Sequence, residues 1–205
     1  MKRDPFTHLP PVAATYLSIT GGCNLRCRHC YVSSASPPSD VLTAAELECV
    51  LASVGVLAPR KFILSDDEPL QRKDFAELAP QIGDLRKRGV VTDIVTNGTL
   101  VNKANARMLA ESFDLVSVSI DGFQEAHEWI RGKGTYAKTI RGLRLLREAG
   151  ATLRVLTTVT SKNVGTLARF ALHLSLTEGI RDLRFRSLWT LGRATVNPEL
   201  FFFKH

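Results

Sequence analysis

Apolar and polar positions along this chain switch repeatedly between a period of two and a period near 3.6. "ATYLSIT" (14–20) reads as a strand, and a cysteine-rich loop follows it. "TAAELECVLASVGVL" (43–57) has helical periodicity, with Thr43 at the N-cap and Glu46 three residues on as a capping box. "KFILS" (61–65) is a strand, "DFAELAPQIGDLRKRG" (74–89) a helix ended by Gly89, and "VVTDIVT" (90–96) a strand. "NKANARMLAES" (102–112) is a helix, "LVSVSI" (115–120) a strand, and "YAKTIRGLRLLREAG" (136–150) a helix closed by Gly150. "TLRVLTTVT" (152–160), "VGTLARFALHLSLTEG" (164–179) and "DLRFRSL" (182–188) complete the series. Six strands alternating with five helices predict α/β architecture, a parallel sheet of right-handed βαβ units. No sixth covering helix is evident after the last strand. The three phenylalanines at 201–203 are expected to pack rather than face solvent.

Composition narrows the class. The 205 residues suffice for one domain with a sizeable core, and 44% hydrophobic with 23% charged residues is ordinary for a globular protein. No apolar run approaches the roughly 20 residues of a membrane helix. The N-terminal "MKRDPFTHLPPVAATYL" is broken by Asp4 and prolines before a signal-type apolar core can form, so a cytoplasmic location is expected. The net charge of +7 is spread over "RKRG" (86–89), "RGLRLLRE" (141–148) and "RDLRFR" (181–186), of which the first two have the spacing of solvated helix faces. A membrane partner is not expected and a nucleic-acid partner is disfavoured, although a basic surface suits an acidic peptide or RNA.

The candidate chemistry gathers at one edge. Cysteines follow the first strand and Asp66, Asp67 and Glu68 the second. Asn97-Gly98 follows the third, while Ser119 and Asp121-Gly122 close the fourth. These are carboxyl ends of parallel strands, where α/β folds place their sites. Asn97-Gly98 and Asp121-Gly122 also read as ordinary turn pairs. The sharpest pattern is "GGCNLRCRHCY", with Cys23, Cys27 and Cys30 spaced C-x3-C-x2-C. A structural zinc site wants four ligands, usually as two separated pairs. The remaining cysteine, Cys49, is placed on the apolar helix stripe with Leu47, Val50 and Val54 as a core thiol. A Cys27–Cys30 dithiol leaves Cys23 without a role. A 4Fe–4S cluster held by three cysteines, with one iron open, fits better. His29 then presents its backbone or ring beside the cluster.

These residues resemble the signature of radical S-adenosylmethionine (SAM) enzymes. The resemblance continues in order through "EPL", "TNGTL", "SVSIDG", "HEWIRG", "GLRLLREAG" and "LRFRSLWTLGRA". It is most similar to the core domain of members that carry a C-terminal SPASM or twitch domain. It implies a partial (β/α)6 TIM-like barrel over 14–195, after a lead-in at 1–13 and before a tail at 196–205 that lacks the C-terminal domain. It also implies that the open iron chelates the amino and carboxylate groups of SAM. Reductive cleavage would then give a 5′-deoxyadenosyl radical that takes hydrogen from a peptide or cofactor-precursor substrate. A flavodoxin- or ferredoxin-type donor would supply the electron. By motif position Ser119 and Arg131 reach the cofactor's carboxylate. Asn97 and Asp121 lie near its ribose or support neighbouring turns, and Leu188 packs on adenine. Arg184 and Arg186 face opposite Leu183 and Phe185 and are either substrate contacts or partners of Asp66 or Asp67.

At strand 2 the family pattern is Gly-Gly-Glu-Pro, whereas this chain reads Asp66-Asp67-Glu68-Pro69. Glycines let backbone carbonyls approach the cofactor's ammonium. Two aspartates add bulk and negative charge, strain any positive φ and raise one another's pKa, so weakened cofactor binding is expected. A degenerate iron–sulfur protein with an electron-transfer or assembly role is the alternative, and a zinc-binding nucleic-acid module a third reading.

Overall fold

The computed structural model describes residues 12–34 and 42–202; the lead-in residues 1–11 and Phe203 fall outside that description. The strands are β1 (Ala14–Leu17), β2 (Lys61–Leu64), β3 (Val91–Thr96), β4 (Leu115–Ser119), β5 (Leu153–Thr158) and β6 (Asp182–Arg186). All pair in parallel in the order β1-β2-β3-β4-β5-β6, with β1 and β6 at the edges, so the sheet is an unclosed barrel arc. The helices are α1 (Ala44–Leu57), α2 (Phe75–Lys87), α3 (Lys103–Ser112), α4 (Gln124–Arg131), α5 (Thr135–Glu148) and α6 (Leu167–Glu178). No helix among the described residues is long and apolar enough to cross a membrane.

Helix α1 carries the expected capping box between Thr43 and Glu46. Its buried stripe is Leu47, Leu51 and Val54, and Cys49 is exposed, which corrects the placement of that thiol in the core. Two positions beyond Leu47 is about 200° around a helix, the opposite side. Helix α4 was not anticipated. Its eight residues, "QEAHEWIR", bury only His127 and Ile130, too few apolar positions to set a period. It sits between Asp121 and α5, and it ends on Arg131.

The outer face of the sheet packs Phe62, Leu64, Ile94, Val116, Val118 and Val155 beneath the helices. The inner face is different. Lys61 Nζ lies 2.7 Å from Asp93 Oδ2, Ser117 donates to Asp93 Oδ1 at 2.9 Å, and Arg154 bridges Asp93 (3.2 Å) and Asp182 (2.7 Å). These residues join β2 through β6 near their amino ends and share strand parity with Val95, Ser119, Leu156 and Arg186, which line the cleft above them. The arc thus has a charged, fully paired floor instead of apolar layers.

After β6 the described chain forms two 3₁₀ turns, Gly192–Val196 and Pro198–Leu200, and no α-helix. Ala194 and Leu200 are buried against Ile130 of α4, with Trp129, Leu188 and Phe201 around them. Phe201 therefore packs as expected, whereas Phe202 is 46% exposed.

Candidate functional site

A cleft of about 670 Å³ opens at the carboxyl ends of the strands. All three loop cysteines line it, as do His29, Asp66, Asp67, Asn97, Ser119, Arg131 and Leu188. Two sequence candidates, Glu68 and Asp121, are fully buried and stand behind that wall.

The cysteine loop has no regular secondary structure, so its sulfur and backbone groups find individual partners. Leu25 N–H donates to Cys23 Sγ at 3.4 Å, Asn97 Nδ2 approaches the same sulfur at 3.9 Å, and Cys30 Sγ lies 3.7 Å from Ser34 Oγ. Burial pushes the Cys23 thiol up to about 11. It also pushes Cys27 up, against the opposing pull of the Arg131 guanidinium. Such thiols ionise when a cationic centre binds them. Among the described residues no three His, Cys, Asp or Glu side chains converge on a single metal ion. The three thiolates of a cubane bind three different irons and stand further apart than the ligands of one ion. His29 is not poised as a fourth ligand through Nε2, which lies 3.3 Å from Asp121 Oδ2, while its buried Nδ1 has no hydrogen-bond partner. Three thiols lining one cleft fit a cluster held by three cysteines.

At the end of β2 the backbone is left-handed at both aspartates, φ 68° at Asp66 and 49° at Asp67, the conformation in which glycine is favoured. The side chains tie this turn to the cysteine loop. Tyr31 Oη donates to Asp66, while Ser34 Oγ (2.5 Å) and Ser18 Oγ (2.9 Å) donate to Asp67. Burial and the neighbouring Asp67 charge raise the Asp66 pKa, with Arg186 opposing. Replacing both by glycine is expected to relieve the backbone and remove two carboxylates from the cleft wall, and for the SAM cofactor that the resemblance implies the affinity is expected to rise about tenfold, or ~1.4 kcal/mol. Equilibrium dialysis of the cluster-loaded protein measures this, and an unchanged or weaker affinity would refute it.

Glu68 holds strand ends together and does not reach the cleft. Its Oε1 accepts from Thr96 Oγ1 (2.8 Å) and Leu70 N–H (3.2 Å), and its Oε2 accepts from Asn97 N–H (2.7 Å). Burial raises its pKa to about 7, with those three donors pulling the other way. Asn97 lines the cleft but spends its amide on the protein: Nδ2 donates to Asn24 Oδ1 at 2.9 Å, and Oδ1 accepts from Thr99. These bonds tie the turn after β3 to the cysteine loop. Gly142 lets α5 come close enough for Thr139 Oγ1 to donate to Asn97 O at 2.9 Å; a Cβ there would lie 2.1 Å from Gly98 O.

Asp121 organises the end of β4. It accepts from Arg131 Nε at 2.6 Å and from Thr158 N–H at 2.8 Å. Burial works to raise its pKa, but the Arg131 guanidinium and His29 overcome this and hold the carboxyl well below its usual range. Arg131 lines the cleft with its Nε edge engaged by Asp121 and its Nη2 3.4 Å from His29 Nε2. A bidentate cofactor contact through that edge is therefore not offered in this conformation. His127, fully buried, accepts the Asp121 N–H through Nδ1 at 3.2 Å. Burial and the Arg131 charge lower its pKa from 6.5 to about 3.

Between pH 3 and 6.5 the unfolded chain protonates His127 and the folded chain does not, so this residue makes stability rise with pH across that window. The slope is at most about 1.4 kcal/mol per pH unit. Glu68 acts with the opposite sign between 4.5 and 7, because there the folded state binds the extra proton. The diagnostic is therefore a difference: urea midpoints of His127→Gln should fall less steeply than wild type from pH 6.5 to 4.5. Parallel curves would show that His127 does not titrate in this way.

Arg186 does line the cleft on the Asp66 side, but Arg184 points to Asp182 at 3.8 Å. Sequence reasoning missed Tyr31, Ser34, Trp189 and Arg193 on the cleft wall. Tyr31 and Ser34 flank the cysteines closely enough to be suspected, and Arg193 lies inside the quoted "LGRA". Nothing in a linear reading pairs them with their actual partners.

The chain matches the model of the radical SAM superfamily over residues 17–169. It is 34% identical over 191 residues to the pre-heme d1 synthase of Dinoroseobacter shibae, covering 91% of this chain and 46% of that protein. It is 36% identical over 155 residues to the AdoMet-dependent heme synthase of Methanosarcina barkeri, covering 74% and 44%. Among solved structures it resembles Streptococcus suis SuiB bound to precursor peptide SuiA, with TM-score 0.77, 16% identity and coverage of 95% and 42%, a likeness of fold alone. The chain thus spans less than half the length of these relatives. With three cysteines on one cleft at the carboxyl edge of an unclosed parallel arc, and a family match over three quarters of its length, this chain belongs to the radical SAM superfamily.

Proposed function

We propose that this chain is the radical-generating core of a radical SAM enzyme acting on a cofactor precursor or a peptide. The observation that carries the reading is that Cys23, Cys27 and Cys30 all face one cleft of about 670 Å³, while the remaining cysteine, Cys49, is exposed on α1. In this reading the three thiolates hold a 4Fe–4S cluster, which when bound supplies the electron for SAM cleavage. Ser119 offers a hydroxyl and Arg131 a positive charge to the cofactor's carboxylate. Leu188 provides an apolar wall for adenine, and Asp66 and Asp67 face the ammonium in place of backbone carbonyls.

For the substrate, the names of the haem-synthase relatives favour a planar cofactor precursor, and the peptide-bound SuiB structure keeps a peptide in view. The exposed Tyr31 and Trp189, with ring centroids 5.1 Å apart at the cleft, suit a planar group. The net charge of +7 favours an acidic electron donor of flavodoxin or ferredoxin type. A cytoplasmic location agrees with four free cysteines.

The test is anaerobic reconstitution with iron and sulfide, followed by dithionite and SAM. Release of 5′-deoxyadenosine and methionine is expected. A stable cluster that releases neither would favour the electron-transfer or assembly reading, which the Asp66-Asp67 pair on the cleft wall supports.

A further inference from the structure

The segment after β6 grips the cysteine loop by its backbone. Arg193 N–H donates to Cys30 O at 2.9 Å, its Nε to Cys27 O at 2.9 Å, and its Nη1 to Ser34 O at 2.9 Å. Asn197 Nδ2 adds a bond to Arg28 O at 3.3 Å. The approach is so close that Gly192, at φ +55°, has no room for a side chain: a Cβ would lie 2.4 Å from Tyr31 O and 2.5 Å from Cys30 O. The far end of the segment is fixed to the rest of the fold. Ala194 and Leu200 are buried on Ile130 and Ser161 N–H donates to Leu200 O at 2.9 Å, while Glu199 adds a further contact to the loop by pairing with Arg28 at 2.9 Å.

These contacts matter because the loop has little internal support. Within it Cys30 N–H reaches Cys27 O at a long 3.3 Å, and its other carbonyls need donors from elsewhere. A guanidinium has donors in a rigid fork that can serve two carbonyls on opposite sides of a loop, which an ammonium on a flexible stem does not reproduce. Arg193 also brings positive charge to the side of the loop where thiolates would gather.

We propose that Arg193 is a positioning residue for the cluster-binding loop, and that residues 192–200 form a clasp whose docking is coupled to cluster occupancy. The inference rests on the proposed function, in that Cys23, Cys27 and Cys30 are taken as the cluster ligands. By linkage, a clasp that orders the loop raises cluster affinity, and the cluster in turn orders the clasp.

The test uses the whole 205-residue chain, reconstituted anaerobically with iron and sulfide, in wild type and in Arg193→Met, Arg193→Lys and Gly192→Ala. Iron retention against a chelator and the paramagnetic spectrum of the reduced cluster are read for each. Arg193→Met and Gly192→Ala are expected to lose about 10- to 100-fold in retention, the range seen when groups that orient metal ligands are removed. Arg193→Lys, which keeps the charge and loses the fork, is expected to recover retention only partly and to show an altered spectrum. Wild-type retention and spectra in all three variants would overturn the inference while leaving the proposed function standing. Failure of the wild type itself to take up a cluster would instead overturn the proposed function, and this inference with it. Should the variants not fold, amide exchange at Arg193 and Ala194 in the wild type decides: slower exchange with the cluster supports the clasp, and equal rates overturn it.

Discussion

Serine in place of Cys23, Cys27 or Cys30, one at a time, is expected to strip the protein of its iron and bring 5′-deoxyadenosine release down to background. A hydroxyl is a hard, weakly acidic group and a poor ligand for iron in a sulfide cage. In the proposed cluster, held by three cysteines, losing one leaves two irons without a protein anchor. The affinity loss should exceed the roughly 10- to 100-fold that follows from disturbing groups behind the ligands. Cys49→Ser is the internal control: that thiol is exposed on α1, away from the cleft, and iron content should not change. The fold should survive the loop substitutions, because burial already keeps Cys23 and Cys27 protonated without the cluster, and serine is a smaller neutral replacement. Iron analysis, circular dichroism and product release, run together, separate loss of cluster from loss of structure. A serine variant that kept its iron and its activity would remove that cysteine from the ligand set.

Arg131→Met should have the largest effect on stability. Asp121 is wholly buried and charged, and the guanidinium 2.6 Å away is its principal counter-ion. Removing one partner of such a pair leaves an uncompensated buried charge and costs about 3–5 kcal/mol. For a chain of this size each kcal/mol moves the unfolding midpoint by about 2–4 °C, so a drop on the order of 10 °C is expected in a thermal melt. The double variant Arg131→Met/Asp121→Asn should recover part of that loss, since the orphaned charge is gone while Thr158 N–H keeps an amide oxygen to donate to. A single variant with a wild-type midpoint, or a double variant less stable than the single, would show that the pair does not carry this energy.

The same two sites show what the sequence could and could not reveal. The C-x3-C-x2-C spacing is local chemistry: three soft ligands within eight residues have few other uses, and no tertiary information was needed to see them. Among the described residues, the six strands and five of the six α-helices were legible because one buried face per element imposes a period on the residues. The strand-end clusters followed from the topology those periods imply. Even the glycine-like backbone at Asp66 and Asp67 was foreseeable, since two left-handed residues stand where the family pattern has glycines.

What the linear reading lost were pairings between distant positions and the burial of short or polar segments. Cys49 looked apolar by its neighbours and was placed inside, but two residues carry it to the far side of the helix from Leu47. Helix α4 has too few apolar positions to announce itself, and it is held in place by Asp121, Leu200 and the other groups that pack on it. Glu68 and Asp121 stand in the motifs as candidate site residues, Asp121 either near the ribose or in support of neighbouring turns. Only the folded chain shows that each is surrounded by donors from neighbouring strands and loops, and so positions the wall of the cleft from behind. The floor built on Asp93 and Arg154, and the grip of Arg193 on Cys27, Cys30 and Ser34, join residues far apart in the chain. The sequence by itself determined the three-cysteine motif and the parallel α/β arc, because both follow from local spacing. The tertiary structure decided which charges face the cleft and which are spent inside the protein, because a buried polar group takes whatever partner the packing of distant segments brings within hydrogen-bonding distance.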